Sequence, residues 1–357
     1  MNAERYDRQT ILKEFGMEAQ LKLQSAKVLV VGAGGLGVPV LTYLNAMGVG
    51  TLGIVDNDVV SLSNLHRQVL YSESDVKKPK VATAVQKLKD QNSETHIISY
   101  ETFLTRDNAL EIIADYDVVV DASDNFPTRY LVNDACVILN KPFVYGALHS
   151  FEGQVSVFNF EGGPTYRCLF PEMPKPDEVP NCDENGVLGI VPGIIGNFQA
   201  LETVKVITEI GQVLTGKLLL FDGLSSTFQK IRFTANPENQ KIHALQESYE
   251  FNCEVPMNSI TPDAFQKIIE EKEVQLIDVR TPKEFSRNHL SFAKNIPLSE
   301  LDERHDEIAY DTKVYVVCQS GVRSRKAVTK LQGIHANANL INVEGGMNQI
   351  SKHALKY

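Results

Sequence analysis

Short β-branched apolar runs alternate with amphipathic stretches through the first half of the chain. Residues 28–31 (VLVV) and 51–55 (TLGIV) each predict a buried parallel strand, with a helix from about Leu36 between them. Residues 78–91 read as a helix, 95–100 as a strand, 108–114 as a helix, and the valines between Asp117 and Asp121 as another buried strand. Residues 141–160 alternate at period two, which predicts an antiparallel portion, and residues 189–210 read as a long helix. The expectation is an α/β fold with a mixed, mostly parallel sheet. Residues 5–25 read as a surface helix whose apolar side, Ile11, Leu12, Phe15, Leu21 and Leu23, packs on that sheet.

Two stretches lose the pattern. Residues 162–186 carry Pro171, Pro174, Pro176 and Pro180 among acidic residues and predict a mobile crossover loop. Residues 233–258 sustain no period and read as a linker. Thr261 and Pro262 then begin a helix as cap and first-turn residue. Strands follow at 274–279 and 313–317, the second ending in Cys318. The expected organisation is a first domain over 1–245, a linker over 246–258 and a smaller α/β domain over 259–357.

Composition narrows the function. The chain has 357 residues, enough for one large core and a smaller one, and a net charge of −10 that argues against nucleic acid as the main partner. Cys136, Cys168, Cys182, Cys253 and Cys318 are scattered and do not form a secreted disulfide framework, so any important cysteine is expected to act as a thiol. No apolar run approaches a membrane span and MNAERYDRQT has no signal-peptide profile; a cytoplasmic protein without a membrane partner is expected.

The chemistry begins after the first strand. Gly32, Gly34 and Gly37 fit G-x-G-x-x-G, whose missing side chains let the turn tighten and let backbone N–H groups approach a phosphate. Asp56 ends the second strand, where an acid can accept hydrogen bonds from a ribose. The glycine pattern alone also suits an NAD enzyme. Ser63-Asn64-Leu65-His66-Arg67-Gln68 and Lys80 tilt the reading towards ATP, whose triphosphate can use that positive charge.

Together these motifs, with Tyr6-Asp7-Arg8-Gln9, Asp56-Asn57-Asp58 and Asp121-Ala122-Ser123-Asp124-Asn125, resemble the adenylyltransferases of the MoeB and ThiF type, relatives of the ubiquitin-activating enzymes, over residues 5–233. The resemblance implies a Rossmann-like domain and nucleotide contacts from Gly32, Gly34, Gly35, Gly37, Asp56, Ser63, Asn64, Leu65, His66, Arg67, Lys80, Asp124 and Asn125. It implies catalytic roles for Arg67, Lys80 and Asp124, with Asp124 near magnesium, and an Arg8 that crosses into the partner's site in a homodimer. A bland reading of Asp121 to Asn125 as a helix cap and turn is compatible with these roles.

Many members of that family bind structural zinc through two Cys-x-x-Cys pairs. Here Thr165 stands where Cys168 would have its partner and residues 235–253 hold no such pair, so no structural zinc site is expected and Cys168 is expected to be a structural thiol. Cys182 matches the thiol nucleophile of part of the family. Its acidic neighbours Asp183 and Glu184 oppose a lowered pKa, and a thioester, an acyl disulfide or no covalent role all remain open.

A second centre is Cys318-Gln319-Ser320-Gly321-Val322-Arg323. A short loop running into a helix aims N–H groups at the sulfur, and the arginines add positive potential that stabilises a thiolate or persulfide. With Leu276 to Arg280, Ala293 to Leu298 and Val343 to Met347, the segment 259–353 resembles a rhodanese. Asp278 and Arg280 are expected to be structural ion-pair partners. The two resemblances imply adenylation of a ubiquitin-like sulfur carrier ending in Gly-Gly, then sulfur transfer from a Cys318 persulfide loaded by a cysteine desulfurase or thiosulfate. The resulting thiocarboxylate would serve molybdopterin, thiamine or tRNA thiolation. Two other readings are an NAD-dependent oxidoreductase fused to a sulfurtransferase and a non-catalytic scaffold.

Overall fold

The computed structural model describes residues 3–174, 186–249, 257–335 and 337–350. Its contacts divide the chain into two units, Met1–Phe251 and Asn252–Tyr357.

The first unit runs α1 (Ala3–Thr10), α2 (Gly16–Ser25), β1 (Lys27–Val31), α3 (Gly37–Ala46), β2 (Thr51–Val55), α4 (Lys80–Gln91), β3 (His96–Tyr100), α5 (Ala109–Ala114), β4 (Val118–Asp121), α6 (Phe126–Ile138), β5 (Phe143–His149), β6 (Glu152–Phe158), α7 (Tyr166–Leu169), α8 (Ile190–Thr208), β7 (Lys217–Asp222) and β8 (Thr227–Arg232). The sheet order is β3-β2-β1-β4-β5-β6-β7-β8. Strands β3 to β5 in that order pair in parallel, and β5 to β8 antiparallel.

Alternation along β1 builds both core layers. Val28 and Val30 pack with Leu41 and Leu44 of α3, Leu88 of α4 and Ile195 of α8. Leu29 and Val31 pack with Ile113 of α5 and Leu131 of α6. The chain leaves β1 towards β2 and returns on its other side at β4, so the carboxyl ends of β1 and β4 border the crevice where such sheets take ligands.

Three sequence expectations change. Residues 5–25 are two helices, because the chain turns between Thr10 and Gly16, where Gly16 adopts φ +62°. Phe15 and Leu23 are buried, but Ile11, Leu12 and Leu21 face outward. The expected crossover loop is packed at its start: Thr165 opens α7 through a capping box, and Tyr166 is fully buried among Tyr130, Tyr145, Phe158 and Phe170. The stretch expected to be a linker is anchored as far as Tyr249, whose hydroxyl donates to Asp134 Oδ2 at 2.8 Å. Arg167 holds the same carboxylate from the other side, at 2.7 and 2.8 Å.

The second unit is a parallel sheet of β9 (Asn258–Ile260), β10 (Gln275–Asp278), β11 (Ala293–Asn295), β12 (Val314–Val317) and β13 (Leu340–Val343), ordered β11-β10-β12-β13-β9. Its helices are α9 (Pro262–Glu271), α10 (Pro282–Arg287), α11 (Leu301–Arg304) and α12 (Val322–Ile334). Thr261 and Thr281 cap α9 and α10, each followed by proline in the first turn. Among the described residues, no helix is long and apolar enough to cross a membrane.

Candidate active site

The turn after β1 depends on close backbone approach. A Cβ on Gly32, which sits at φ +105°, would lie 2.7 Å from the Ala122 carbonyl oxygen, and one on Gly37 would collide with the Gly32 carbonyl. A Cβ on Gly34 would lie 3.5 Å from Gln68 Nε2 and one on Gly35 3.1 Å from Pro192 Cβ, so the missing side chains keep the turn's backbone within reach of a ligand between these neighbours. Helix α3 starts here without a side-chain cap, and Val38 N already donates to the Gly34 carbonyl at 2.9 Å.

Gly34, Gly35, Asp56, Arg67, Lys80 and Asp124 line one cavity of about 620 Å³. That volume falls within the roughly 300–1,000 Å³ of small-molecule sites. Asp56 accepts hydrogen bonds from Ala33 N and Asp58 N, both at 2.8 Å, which fixes its carboxylate while leaving lone pairs for a ribose. Lys80 is buried and donates to Asp58 Oδ2 at 2.7 Å. Arg67 donates to Asn64 Oδ1 at 2.9 Å, and both residues reach the wall.

Several expected contacts lie elsewhere. Ser63, Leu65 and His66 are off the cavity wall: Leu65 packs against the core, and the His66 ring meets the Ser63 carbonyl at 2.9 Å. Gly37 also lies off the wall, serving the packing of α3 on the turn. Asp121 turns into the core, fully buried, with one oxygen accepting from Ser123 N and Oγ at 3.0 and 2.6 Å. Burial pushes its carboxyl up, with Arg129 opposing. Asp124 is exposed on the wall, and Asn125 caps α6 by accepting from Thr128 N at 2.9 Å. Arg8 is exposed on α1 and does not line this cavity.

Gln68, Arg129, Tyr145 and Tyr166 line the cavity without having been singled out. Gln68 sits at the end of the 63–68 run, and Arg129 one helical turn after Asn125, a spacing that would have put both on the same side of α6.

The cavity suits magnesium only with a nucleotide present. Among the described residues no group of three acids, histidines or cysteines could cage a metal. Asp124 is an exposed carboxylate on the wall, as are Asp58 and Glu152, and one or two carboxylates suffice for Mg²⁺ when phosphates complete its shell.

Zinc does not fit. Cys168 meets Thr165, Asn236 and Asn239, a set with one thiol where tetrahedral zinc needs about four sulfur or imidazole ligands. The sulfur instead accepts hydrogen bonds from Asn236 N at 3.2 Å and Thr165 N at 3.4 Å. Burial pushes the thiol's pKa up, but these bonds and the Thr165 hydroxyl outweigh it and hold the thiol below its ordinary value. Cys168→Ala strands those N–H groups and is expected to cost about 1–2 kcal/mol, seen as a lower melting temperature. A chelator should leave the wild-type melt unmoved; a chelator-induced drop would contradict this reading.

In the second unit Cys318 follows β12 and is fully buried. Its Sγ accepts from Gly321 N at 3.1 Å, and the Ser324 hydroxyl lies 3.4 Å away. Gly321 takes φ +92°, which lets the loop curl around the sulfur before α12. Asp278 and Arg280 form a fully buried ion pair, and Arg280 Nη1 reaches Gln319 Oε1 at 3.1 Å, tying β10 to this loop.

Arg323 pairs with Glu284 through two bonds at 2.6 and 2.8 Å. That pairing, chiefly, holds the Glu284 carboxyl at about 2, below its ordinary 4.5. A depressed carboxylate stabilises above its unfolded pKa and loses that contribution as pH falls through the folded one. The stability gap between wild type and Glu284→Gln is therefore expected to be complete above pH 4.5 and gone near pH 2. Urea unfolding at stepped pH checks it, and a gap independent of pH would contradict it. Cys182 lies outside the described residues.

Comparison with known proteins matches residues 6–243 to the ThiF family and residues 261–353 to the rhodanese-like domain. The chain is 41% identical to the adenylyltransferase and sulfurtransferase MOCS3 of Aedes aegypti, over 96% of this chain and 85% of that protein. It is 53% identical to the sulfur carrier protein adenylyltransferase of Thermus thermophilus, over 66% of this chain and 88% of that one. Among solved structures, E. coli MccB with MccA-N7isoASN superposes at a TM-score of 0.60 and 24% identity, covering 66% of this chain and 73% of that one. That last likeness concerns the fold alone.

Proposed function

The chain belongs to the ThiF family and ends in a rhodanese-like domain, and on that premise we propose that it adenylates the C-terminal carboxylate of a ubiquitin-like sulfur carrier and then delivers sulfur to it. The observation that carries this reading is the pairing, in one chain, of a glycine-turn cavity bearing Arg67, Lys80 and Asp124 with a cysteine cradled at a strand-to-helix loop.

ATP lies with its ribose at Asp56 and its phosphates at Gly34, Gly35 and the start of α3. Arg67 and Lys80 offset phosphate charge, and Arg8 of a second copy adds to them in a homodimer. The outward-facing Ile11, Leu12, Met17 and Leu21 beside Arg8 supply apolar surface for that contact. Asp124 would hold Mg²⁺ together with the nucleotide, and the ion would supply charge neutralisation where two anions must meet. A carboxylate oxygen of the carrier bonds to the α-phosphorus, the bond to the β-phosphate oxygen breaks, and pyrophosphate leaves.

The resulting mixed anhydride is open to sulfur. The terminal sulfur of a Cys318 persulfide, loaded by thiosulfate or a desulfurase, bonds to the acyl carbon and AMP leaves. A thiol attacking the Cys318 sulfur of the acyl disulfide then forms a protein disulfide and releases the thiocarboxylate. Cys182 is the candidate for that thiol or for holding the carrier as a thioester.

Intact mass of a Gly-Gly-ended carrier, after incubation with the full chain, ATP and magnesium, tests the sequence of steps. An adenylate without thiosulfate and a thiocarboxylate with it are expected. An unchanged mass together with no pyrophosphate exchange would overturn the reading.

A further inference from the structure

Beside Cys318 the second unit buries two polar side chains completely, Ser324 in the first turn of α12 and Asn342 on β13. Alternation along β13 puts Asn342 on the same face as Leu340, which packs in one cluster with Cys318. A polar pair in such a layer is costly unless its hydrogen bonds are made. The Ser324 hydroxyl has more acceptors than it can serve. Its Oγ lies 2.7 Å from Asn342 Oδ1, 3.1 Å from the Gly321 carbonyl oxygen and 3.4 Å from Cys318 Sγ, and it carries one hydrogen. Asn342 Nδ2 is the opposite case, a buried donor with no acceptor.

The two ends of an amide are nearly alike in size, so a half-turn of the Asn342 side chain exchanges them at little steric cost. The two senses suit two charge states of the sulfur. With Oδ1 towards Ser324, the hydroxyl gives its hydrogen to the amide, and its free lone pair can accept from a protonated thiol. With Nδ2 towards Ser324, the amide donates to Oγ and the hydroxyl hydrogen is released to a thiolate. Gly321 N already donates to Sγ at 3.1 Å, so the turned amide adds a second donor to a buried anion.

We propose that Asn342, acting through the Ser324 hydroxyl, is a positioning residue for sulfur transfer: its amide turns over as Cys318 ionises and directs the hydroxyl hydrogen onto the attacking sulfur. This rests on the sulfur-transfer reading above. The relay serves loading. With thiosulfate, Cys318 Sγ bonds to the outer sulfur, the bond to the sulfonate sulfur breaks with its electron pair, and sulfite leaves. The charge then sits on the terminal sulfur of the persulfide, beyond Sγ, and the amide returns to its first sense.

Thiolate absorbance of the full chain, followed against pH with Cys318→Ala as the blank, tests it beside the rate of sulfur uptake from thiosulfate by intact mass. Asn342→Leu removes the amide at similar volume, Asn342→Ala does so without added bulk, and Ser324→Ala removes the hydroxyl; melts check that each folds. In all three the absorbance step is expected about one pH unit higher, and uptake at neutral pH roughly tenfold slower, the scale of one hydrogen bond to an anion. The uptake gap should close as pH rises and the thiolate forms unaided. Of the charged groups around the loop, Asp278 pairs with Arg280 and Glu284 with Arg323, Arg325 and Glu344 are exposed, and no variant changes them. Asn342→Ala should add nothing in a Ser324→Ala background. A wild-type absorbance step in the Asn342 variants, a gap equal at every pH, or additive losses would overturn the relay while the sulfur-transfer reading stands. No sulfur uptake by the wild type would overturn that reading and the relay with it.

Discussion

Asp124→Ala is expected to lower ATP–pyrophosphate exchange by about 10²–10³-fold, the scale of removing one preorganised electrostatic partner from a phosphoryl centre. Two acids stand near the end of β4, and their environments divide the work. Asp121 is fully buried, accepts from Ser123 and is not on the cavity wall. Asp124 is exposed on that wall, so replacing it should move stability by no more than about 0.5 kcal/mol. Thiocarboxylate formation should fall with adenylation, because the carrier never becomes an acyl donor. Exchange measured at saturating magnesium and carrier reads the loss. An Asp124→Ala enzyme of wild-type exchange rate would remove Asp124 from the chemistry.

Cys318→Ala is expected to do the reverse. Sulfur transfer should fall by at least about 10³-fold, since no neighbouring atom replaces a nucleophile that carries the transferred sulfur, while pyrophosphate exchange keeps its wild-type rate. The physical reason is that the two units have separate cores: Val316, Cys318, Ala327 and Val328 belong to one cluster, whereas the strands under the glycine turn belong to others. The lost sulfur also leaves Gly321 N without its acceptor at 3.1 Å, so a modest drop in the stability of the second unit should accompany the variant. Carrier mass with ATP and thiosulfate distinguishes the two variants: Cys318→Ala stops at the adenylate and Asp124→Ala never reaches it. Equal loss of exchange in both would end the division of labour.

Much of the candidate site was legible because it is local. Gly32, Gly34 and Gly35 follow a β-branched strand and precede an apolar helix, and Asp56 closes the next strand; each is set by its immediate neighbours. Cys318 with Gly321 is local in the same sense, a strand end, a left-handed glycine and a helix start. The 63–68 run was legible only as a unit. Its composition pointed to phosphate, but turn geometry decides that Asn64, Arg67 and Gln68 reach the cavity while Leu65 joins the core. The α7 segment was misjudged because proline and acid content further along the loop outweighed Tyr-Arg-Cys-Leu-Phe, whose aromatic rings find partners only across the fold.

By itself, then, the sequence determined the alternation of strands and helices around the glycine turn and the division into two units, and it pointed to candidate chemistry at Gly32 to Gly37 and at Cys318, since periodicity, turn residues and charge act within a few residues of one another. The tertiary structure alone decided which way side chains face at strand ends and which distant residues meet. It turned Asp121 inward and Asp124 outward, brought Asn236 and Asn239 onto Cys168, and set Arg129 and Tyr166 on one wall. Those outcomes depend on close packing between elements far apart in the chain, where a polar atom's fate is settled by what else has already filled the space around it.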